Sequence, residues 1–131
     1  ALANGDLTEP IQLNYLTELW PDNRQQIKET HQPLITLIVR FRVKPGKEAA
    51  MIKSFEPFVP RVRKEAGNVD FHFHTVNDHK NEFVLYERWE NQAALDAHNA
   101  LASTKTMVSQ LGNILEGPIQ NMIVFANDIS K

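Results

Sequence analysis

Cysteine is absent from this sequence of 131 residues, which excludes disulfide bonds, catalysis by a thiolate and cysteine-ligated zinc. Long apolar runs are also missing, because no stretch approaches the roughly 18 residues that a membrane-spanning helix requires. Charge of one sign is not in excess either: 14 basic and 16 acidic residues give a net charge of -2, which is not the footprint of a nucleic-acid-binding protein. We therefore expect neither a nucleic acid nor a membrane as a partner.

The compartment is not decided by these absences, since many periplasmic proteins also lack cysteine. The sequence begins at Ala1 without a methionine, so a trimmed end and a cleaved signal peptide are both compatible with it. A cytoplasmic protein is the default expectation, and a periplasmic or secreted protein is the alternative.

Length and composition are those of one ordinary globular domain, with 42% hydrophobic and 23% charged residues. Residues 1–33 differ from the rest, because three prolines punctuate them and their second half is almost wholly polar. We interpret them as an N-terminal arm ahead of a domain at residues 34–131. A short helix from Ile11 to Trp20 is predicted within the arm. The arm either packs on its own domain or reaches a partner subunit.

Hydrophobic periodicity in the domain predicts the order strand, helix, strand, strand, helix, strand. This order is the ferredoxin-like βαββαβ arrangement, an α+β fold whose antiparallel sheet carries its helices on one face. The predicted strands are Leu34–Val43, Asn68–Val76, Glu82–Glu90 and Ile119–Ile129, and helices are predicted over 47–64, after Asn91 and from about Ser103. The other sheet face would be bare, so we expect a homodimer formed through it.

Two local features sharpen this prediction. Pro57 and Pro60 lie inside the first helical pattern, where each removes a backbone hydrogen bond, so a kink or a break is expected there. The two central strands are predicted to pair as a hairpin. In the simplest register Phe71 lies opposite Glu87, Val69 opposite Trp89, and Asp70 opposite Arg88.

The candidate site lies in the segment from Phe83 to Asn99. Its strand places Glu87 and Trp89 on one face, because side chains two residues apart point the same way. The following helix carries His98 on its apolar stripe. We therefore expect a carboxylate, an indole and an imidazole to converge in one apolar cleft.

Each of these residues also has a structural interpretation. A histidine on an apolar stripe is often a hydrogen-bonded core residue, and a tryptophan at a strand end is often core as well. Glu87 on a half-buried strand needs a partner, which could be His98 or a backbone amide, without any catalysis. His72 and His74 form an H-x-H pair that, with His79 or Asp70, could hold zinc or iron; metal binding is the weaker hypothesis.

The sequence resembles the antibiotic biosynthesis monooxygenase (ABM) domain family over about residues 34–126. The family pattern is an E-x-G turn, a strand with an aromatic residue and a histidine, then F-x-x-x-E-x-W and A-L-x-x-H. The matching residues are Glu65, Gly67, Phe71, His74, Phe83, Glu87, Trp89, Ala94, Leu95 and His98. The resemblance implies a dimeric α+β barrel.

The resemblance also implies an activity, the oxidation of a quinol or polyphenolic aromatic by O2 without flavin, haem or metal. Such a substrate must be deprotonated before it reduces oxygen, and histidine can accept a proton near neutral pH. We expect His98 and Glu87 to be catalytic. Ligand contacts are expected from five further residues, namely Trp89, Asn68, Phe71, Phe83 and His74. No cofactor and no metal ion are expected.

Two departures from the family bear on that activity. Phe71 stands where many members carry tyrosine, and Ser103–Lys105 stand where many have a second histidine. The haem-degrading relatives of this family use an asparagine on the first strand. Leu34–Val43 contains none, so the resemblance does not extend to haem degradation. A small-metabolite isomerase and a non-catalytic dimeric ligand-binding protein therefore stay as alternatives, and a wide, flat, apolar pocket would favour the aromatic substrate.

Overall fold

An antiparallel sheet is the frame of the protein, and the computed structural model describes residues 13–22 and 34–127. Five strands are found within these ranges, in the spatial order β1-β3-β4-β2-β5. The strands are β1 (Leu16–Leu19), β2 (Ile35–Arg42), β3 (Asn68–Val76), β4 (His79–Trp89) and β5 (Ile123–Asn127). The helices are α1 (Glu48–Arg63), α2 (Gln92–Ala100) and α3 (Ala102–Leu111). No helix in the described ranges is long and apolar enough to cross a membrane.

The predicted ferredoxin-like α+β fold is confirmed. From β2 onward the elements follow the expected order, with α2 and α3 together in the place of the second helix. Strand β3 has the bounds that its alternating sequence predicted. Alternation predicted it well because every second residue, such as Phe71 and Phe73, is buried beneath the helices.

The N-terminal segment contributes a strand where a helix was predicted. The helix prediction for Ile11–Trp20 is wrong over Leu16–Leu19, which pair with β3 from Leu16 opposite Val76 to Leu19 opposite Phe73. The free edge of β3 offers backbone donors and acceptors that outweigh local helix periodicity. Residues 1–12 and 23–33 lie outside the described ranges, so the rest of the predicted arm stays a prediction.

Helix α1 runs without a break through Pro57 and Pro60, so of the predicted kink or break the break is wrong and the kink stays a prediction. Both prolines lie on the solvent side of the helix. The carbonyl groups that lose a partner, on Lys53 and Glu56, belong to exposed residues, where water can replace the missing hydrogen bond. The opposite side of the helix packs into the core through Met51, Phe55, Phe58, Val59 and Val62.

The hairpin register is as predicted at two of three positions. Phe71 lies opposite Glu87, and Asp70 lies opposite Arg88. The predicted pairing of Val69 with Trp89 is wrong, because an irregularity between Asn68 and Asp70 places Asn68 opposite Trp89. A bulge of this kind inserts one extra residue into a strand and re-aims its neighbours.

The last strand is shorter than predicted. Residues Ile119–Met122 form a 3-10 turn, and β5 begins only at Ile123. The turn is closed by a hydrogen bond from the Asn121 backbone N–H to the Pro118 carbonyl, 3.1 Å long. Asp128 and Ile129, the last two residues of the predicted strand, lie outside the described ranges.

The two faces of the sheet differ in what covers them. The helix-covered face holds the core residues of β2 to β4, including Phe41, Phe71, Phe73, Leu85 and Trp89. The open face carries Ile38, Asp70, His72, His74, Tyr86, Arg88 and Val124. On it, the paired residues Ile38 and Val124 are 38% and 58% exposed.

Candidate active site

A cavity of about 240 Å³ lies between the helix-covered face of the sheet and helices α2 and α3. Its lining is mostly apolar, and five phenylalanines (Phe41, Phe55, Phe58, Phe71 and Phe125) contribute to it. It reaches the surface beside β5, where the lining residue Phe125 is 67% exposed. Among the described residues that line it, only Glu87 and His98 are titratable.

His98 reaches this cavity because of the way α2 begins. The Asn91 side chain accepts a hydrogen bond of 2.9 Å from the Ala94 backbone N–H and so fixes the start of the helix. From that start, Leu95 and His98 fall on the buried side. The imidazole packs against the Trp89 indole, with ring centroids 4.5 Å apart. The expected convergence of these two rings is present.

The partner of His98 is Glu65, at the end of α1. Nδ1 of His98 lies 3.0 Å from Oε1 and 2.9 Å from Oε2 of Glu65. An ionised carboxylate can only accept, so Nδ1 carries the hydrogen in this contact. The Thr104 hydroxyl lies 3.5 Å from the same nitrogen. Sequence reasoning placed Glu65 only in the E-x-G turn, because no local pattern links residues 33 positions apart.

Glu87 also lines the cavity and is only 6% exposed. Its Oε1 accepts a hydrogen bond of 2.7 Å from Nε1 of Trp89. Burial raises the pKa of Glu87 to about 7; the Trp89 N–H opposes this, and the negative charge of Glu65 adds to it. Glu87 therefore exchanges a proton near neutral pH, as a group used in proton transfer must. Its partner is Trp89, rather than the His98 or backbone amide considered from the sequence.

The structure brings together four of the seven predicted site residues. Phe71, Glu87 and His98 line the cavity, while the fully buried Trp89 contacts Glu87 and His98 and is not part of the lining. Trp89 thus backs the two titratable groups.

The other three predicted residues lie away from the cavity. The Asn68 side chain donates to the Asp70 carbonyl, 3.0 Å away. Phe83 stacks on Phe73 in the core, with ring centroids 5.4 Å apart. His74 is on the open face, with Nδ1 3.1 Å from the Val84 carbonyl. Their predicted ligand contacts stay predictions.

The H-x-H pair is engaged in other contacts. Nδ1 of His72 lies 2.6 Å from Oε2 of Glu18, and Nε2 lies 3.3 Å from Oδ1 of Asp70. Within residues 13–22 and 34–127, no three histidine or carboxylate side chains are placed to hold a metal ion.

Comparison with known proteins now decides the family. Residues 34–110 match the family described as "Antibiotic biosynthesis monooxygenase". The chain belongs to this ABM family. It is also 28% identical over 86 residues to "Putative monooxygenase YcnE" of Bacillus subtilis strain 168, a match that covers 66% of this chain and 90% of that protein.

Solved structures agree with the ABM fold. Rv0793 of Mycobacterium tuberculosis superposes with a TM-score of 0.69 at 22% identity, over 75% of this chain and 97% of that one. A "Putative antibiotic biosynthesis monooxygenase" of Nitrosomonas europaea superposes with a TM-score of 0.68 at 23% identity, over 73% of this chain and 99% of that one. The matched region of this ABM protein includes Glu65, Glu87, Trp89 and His98.

Proposed function

We propose that this ABM protein is a cofactor-independent monooxygenase that oxidises a quinol or a polyphenolic aromatic with O2. The observation that carries the proposal is an apolar cavity whose titratable lining groups are His98 and Glu87. Membership of a family described as monooxygenases supports the reaction class. The apolar lining favours an aromatic ligand over a small polar metabolite, and so favours this function over an isomerase.

The size of the cavity limits the substrate. A cavity of about 150 Å³ can hold benzene, whereas drug-sized ligands occupy roughly 300–1,000 Å³. At about 240 Å³, the cavity suits an aromatic of one or two fused rings. Phe58 and Phe71 line it and can pack against such a ring.

The proposed reaction needs a proton acceptor and a site that excludes water. His98 accepts the proton of a substrate hydroxyl, and the resulting phenolate is electron-rich enough to pass electrons to O2. One oxygen atom replaces a ring hydrogen to give a quinone, and the other leaves as water, so the substrate supplies all the electrons. The surrounding apolar side chains keep bulk water from the reactive intermediate.

Glu87 and Trp89 assist His98 in this proposal. Near neutral pH a fraction of Glu87 is protonated, so the same wall offers an O–H donor that can orient the substrate. Trp89 holds both groups, through its N–H to Glu87 and its ring against His98. We assign Trp89 a supporting role behind the wall.

Oxygen uptake tests the proposal directly. Chelator-treated protein is given one-ring and two-ring quinols, and uptake is compared with that of His98→Ala and of His79→Ala, a control whose side chain is 47% exposed. We expect His98→Ala to lower turnover by roughly 10²-fold or more with the fold retained, and His79→Ala to leave it unchanged. Uptake that disappears on chelation, or persists in His98→Ala, would contradict the proposal. Ligand binding without uptake would favour the binding-protein alternative.

We also propose that a second copy of the chain covers the open face. The exposed apolar residues Ile38 and Val124 are register partners on that face, and exposed apolar neighbours of this kind favour association. Sedimentation equilibrium should show a dimer that Val124→Asp dissociates. A wild-type monomer would contradict the proposal.

A further inference from the structure

Glu65 is the polar residue held most closely against His98, and neither the reaction proposed above nor the sequence assigned it a role. Its carboxylate lies within 3.0 Å of Nδ1 through both oxygens. The two side chains are 18% and 6% exposed, so the contact is shielded from water far more than a surface ion pair. Charge-assisted hydrogen bonds in such surroundings are the strong ones.

The position of Glu65 is fixed by the turn that follows it. The Asn68 N–H donates to the Glu65 carbonyl over 3.1 Å, and the Glu90 N–H donates to the Gly67 carbonyl over 3.0 Å. Gly67 also lies so close to α2 that a Cβ added to it would stand 2.2 Å from the Ala94 Cβ. Ala94 is four residues before His98 and therefore on the same side of α2. The turn and the histidine are thus packed as one unit.

This contact decides which ring nitrogen of His98 is free. A neutral imidazole carries its hydrogen on one nitrogen only, and a hydrogen bond to a carboxylate at one nitrogen fixes the hydrogen there. With Nδ1 donating to Glu65, the lone pair is on Nε2. No hydrogen bond to Nε2 is found among the described residues, and His98 lines the cavity, so Nε2 is the nitrogen left for a ligand.

We propose that Glu65 is a positioning residue that holds His98 in its Nδ1–H tautomer, so that Nε2 takes the substrate proton. The proton passes from the substrate hydroxyl to Nε2, which leaves a phenolate and an imidazolium. The Glu65 carboxylate then faces the new positive charge and stabilises it, as a buried carboxylate does beside the histidine of a hydrolase triad. The tautomer is a property of the free protein, and only the identity of the proton donor rests on the proposed function.

The two carboxylates near His98 therefore have different tasks. Glu87 accepts from the Trp89 N–H and lines the cavity, whereas Glu65 holds Nδ1. Thr104 also approaches Nδ1, but at 3.5 Å its contact is too long to compete with the carboxylate. Removing its hydroxyl provides a matched control.

The test is 15N NMR of histidine-labelled full-length protein in alkaline buffer without substrate, with the His98 signals assigned from His98→Gln. We expect His98 to carry its hydrogen on Nδ1 in the wild type and in Thr104→Val. In Glu65→Leu we expect a shift toward Nε2–H, because the acceptor is gone. Glu65→Met serves if the leucine variant does not fold; it has no strong acceptor for Nδ1–H, so the Nδ1–H form should also be reduced there.

Oxygen uptake by the same variants completes the test. We expect Glu65→Leu to lower kcat about tenfold or more, with melting curves that report a folded protein, and Glu116→Leu, at an exposed carboxylate, to stay near the wild type. An unchanged tautomer in both Glu65 variants would overturn the positioning role. A changed tautomer with unchanged kcat would overturn it too, because the lone pair on Nε2 would then be irrelevant. Wild-type protein without uptake contradicts the proposed function alone, since the tautomer is measured without substrate.

Discussion

The two faces of the sheet shift the pKa of a carboxylate in opposite directions. On the helix-covered face, burial raises the pKa of Glu87 to about 7. On the open face, a hydrogen bond from His72 lowers the pKa of Asp70 against the effect of burial, and the Arg88 guanidinium lowers it further. The residues are close neighbours, because Phe71, which follows Asp70, lies opposite Glu87.

The difference comes from burial, which is deeper at Glu87, and from the partners of each carboxylate. Both carboxylates lose water, but Asp70 has Nε of Arg88 at 2.6 Å and Nε2 of His72 at 3.3 Å. The groups that act on Glu87 are a neutral indole N–H and a second carboxylate, Glu65. One face therefore keeps a carboxylate ionised for structure, while the other keeps a carboxylate ready to exchange a proton.

The largest expected effect is on the pH dependence of stability through Glu87. Its folded pKa of about 7 lies above the ordinary value of 4.5, so the folded state holds the proton more tightly. The contribution of Glu87 to stability is therefore greatest below the ordinary value and falls by about 3 kcal/mol as pH rises through the folded pKa. Glu87→Gln removes this titration and keeps an acceptor for the Trp89 N–H.

Urea unfolding at about pH 5 and about pH 8 measures this effect. The variant should lose much less stability than the wild type between the two pH values. The exposed Glu116→Gln serves as a control and should follow the wild type. Equal pH slopes for Glu87→Gln and wild type would show that Glu87 is ionised throughout.

An intermediate effect on the free energy of unfolding is expected at the tight contact between Gly67 and Ala94, on the helix-covered face. Gly67→Ala should cost about 1–3 kcal/mol, because its Cβ would overlap that of Ala94. Adding Ala94→Gly leaves the Ala94 Cα at 3.4 Å, an ordinary contact, so the double variant should recover stability. A double-mutant cycle from thermal melts measures the coupling. Gly117→Ala meets nothing within 4 Å and is the control; additivity of the two changes would refute the contact.

The smallest effect is expected on the open face. Asp70→Asn should destabilise by about 1 kcal/mol or less at neutral pH, because the pair with Arg88 is partly exposed. The folded pKa of Asp70 is lowered, so its contribution is present above the ordinary value of 3.8 and lost as pH falls through the folded value. The difference from wild type should therefore vanish in acid, with Asp78→Asn, in the exposed turn, as control. A difference that persists in acid would point to packing instead of charge.

Local periodicity predicted the elements that bury one face. The alternation of β3 gave its bounds, and the helical spacing around His98 placed it on the buried side of α2. The charge match of Asp70 with Arg88 gave the correct partner for Asp70 and for Phe71. The faces of β3 and α2 depend on residues that are neighbours in sequence, so a sequence contains them directly, whereas the register was inferred from opposite charges across the hairpin.

Packing overruled local signals elsewhere. Leu16–Leu19 became a strand because β3 had a free edge, and α1 continued through two prolines because its opposite face is packed in the core. The bulge at Val69 shifted Trp89 from its expected partner. Each outcome depends on a backbone position that another element supplies, and local spacing does not record it.

The features of the candidate site likewise fall into those that the sequence determined and those that packing determined. The sequence by itself determined that His98, Glu87 and Trp89 face the core, because the periods of strand and helix fix those directions. Only the tertiary structure decided that Glu65 holds His98 and that Trp89 holds Glu87. The first contact depends on how closely the turn at Gly67 packs on α2. The second depends on the deep burial of Glu87 beside the Trp89 indole. The direction in which a side chain points is encoded by the local sequence, whereas the distance between two elements is set by the packing of the whole core.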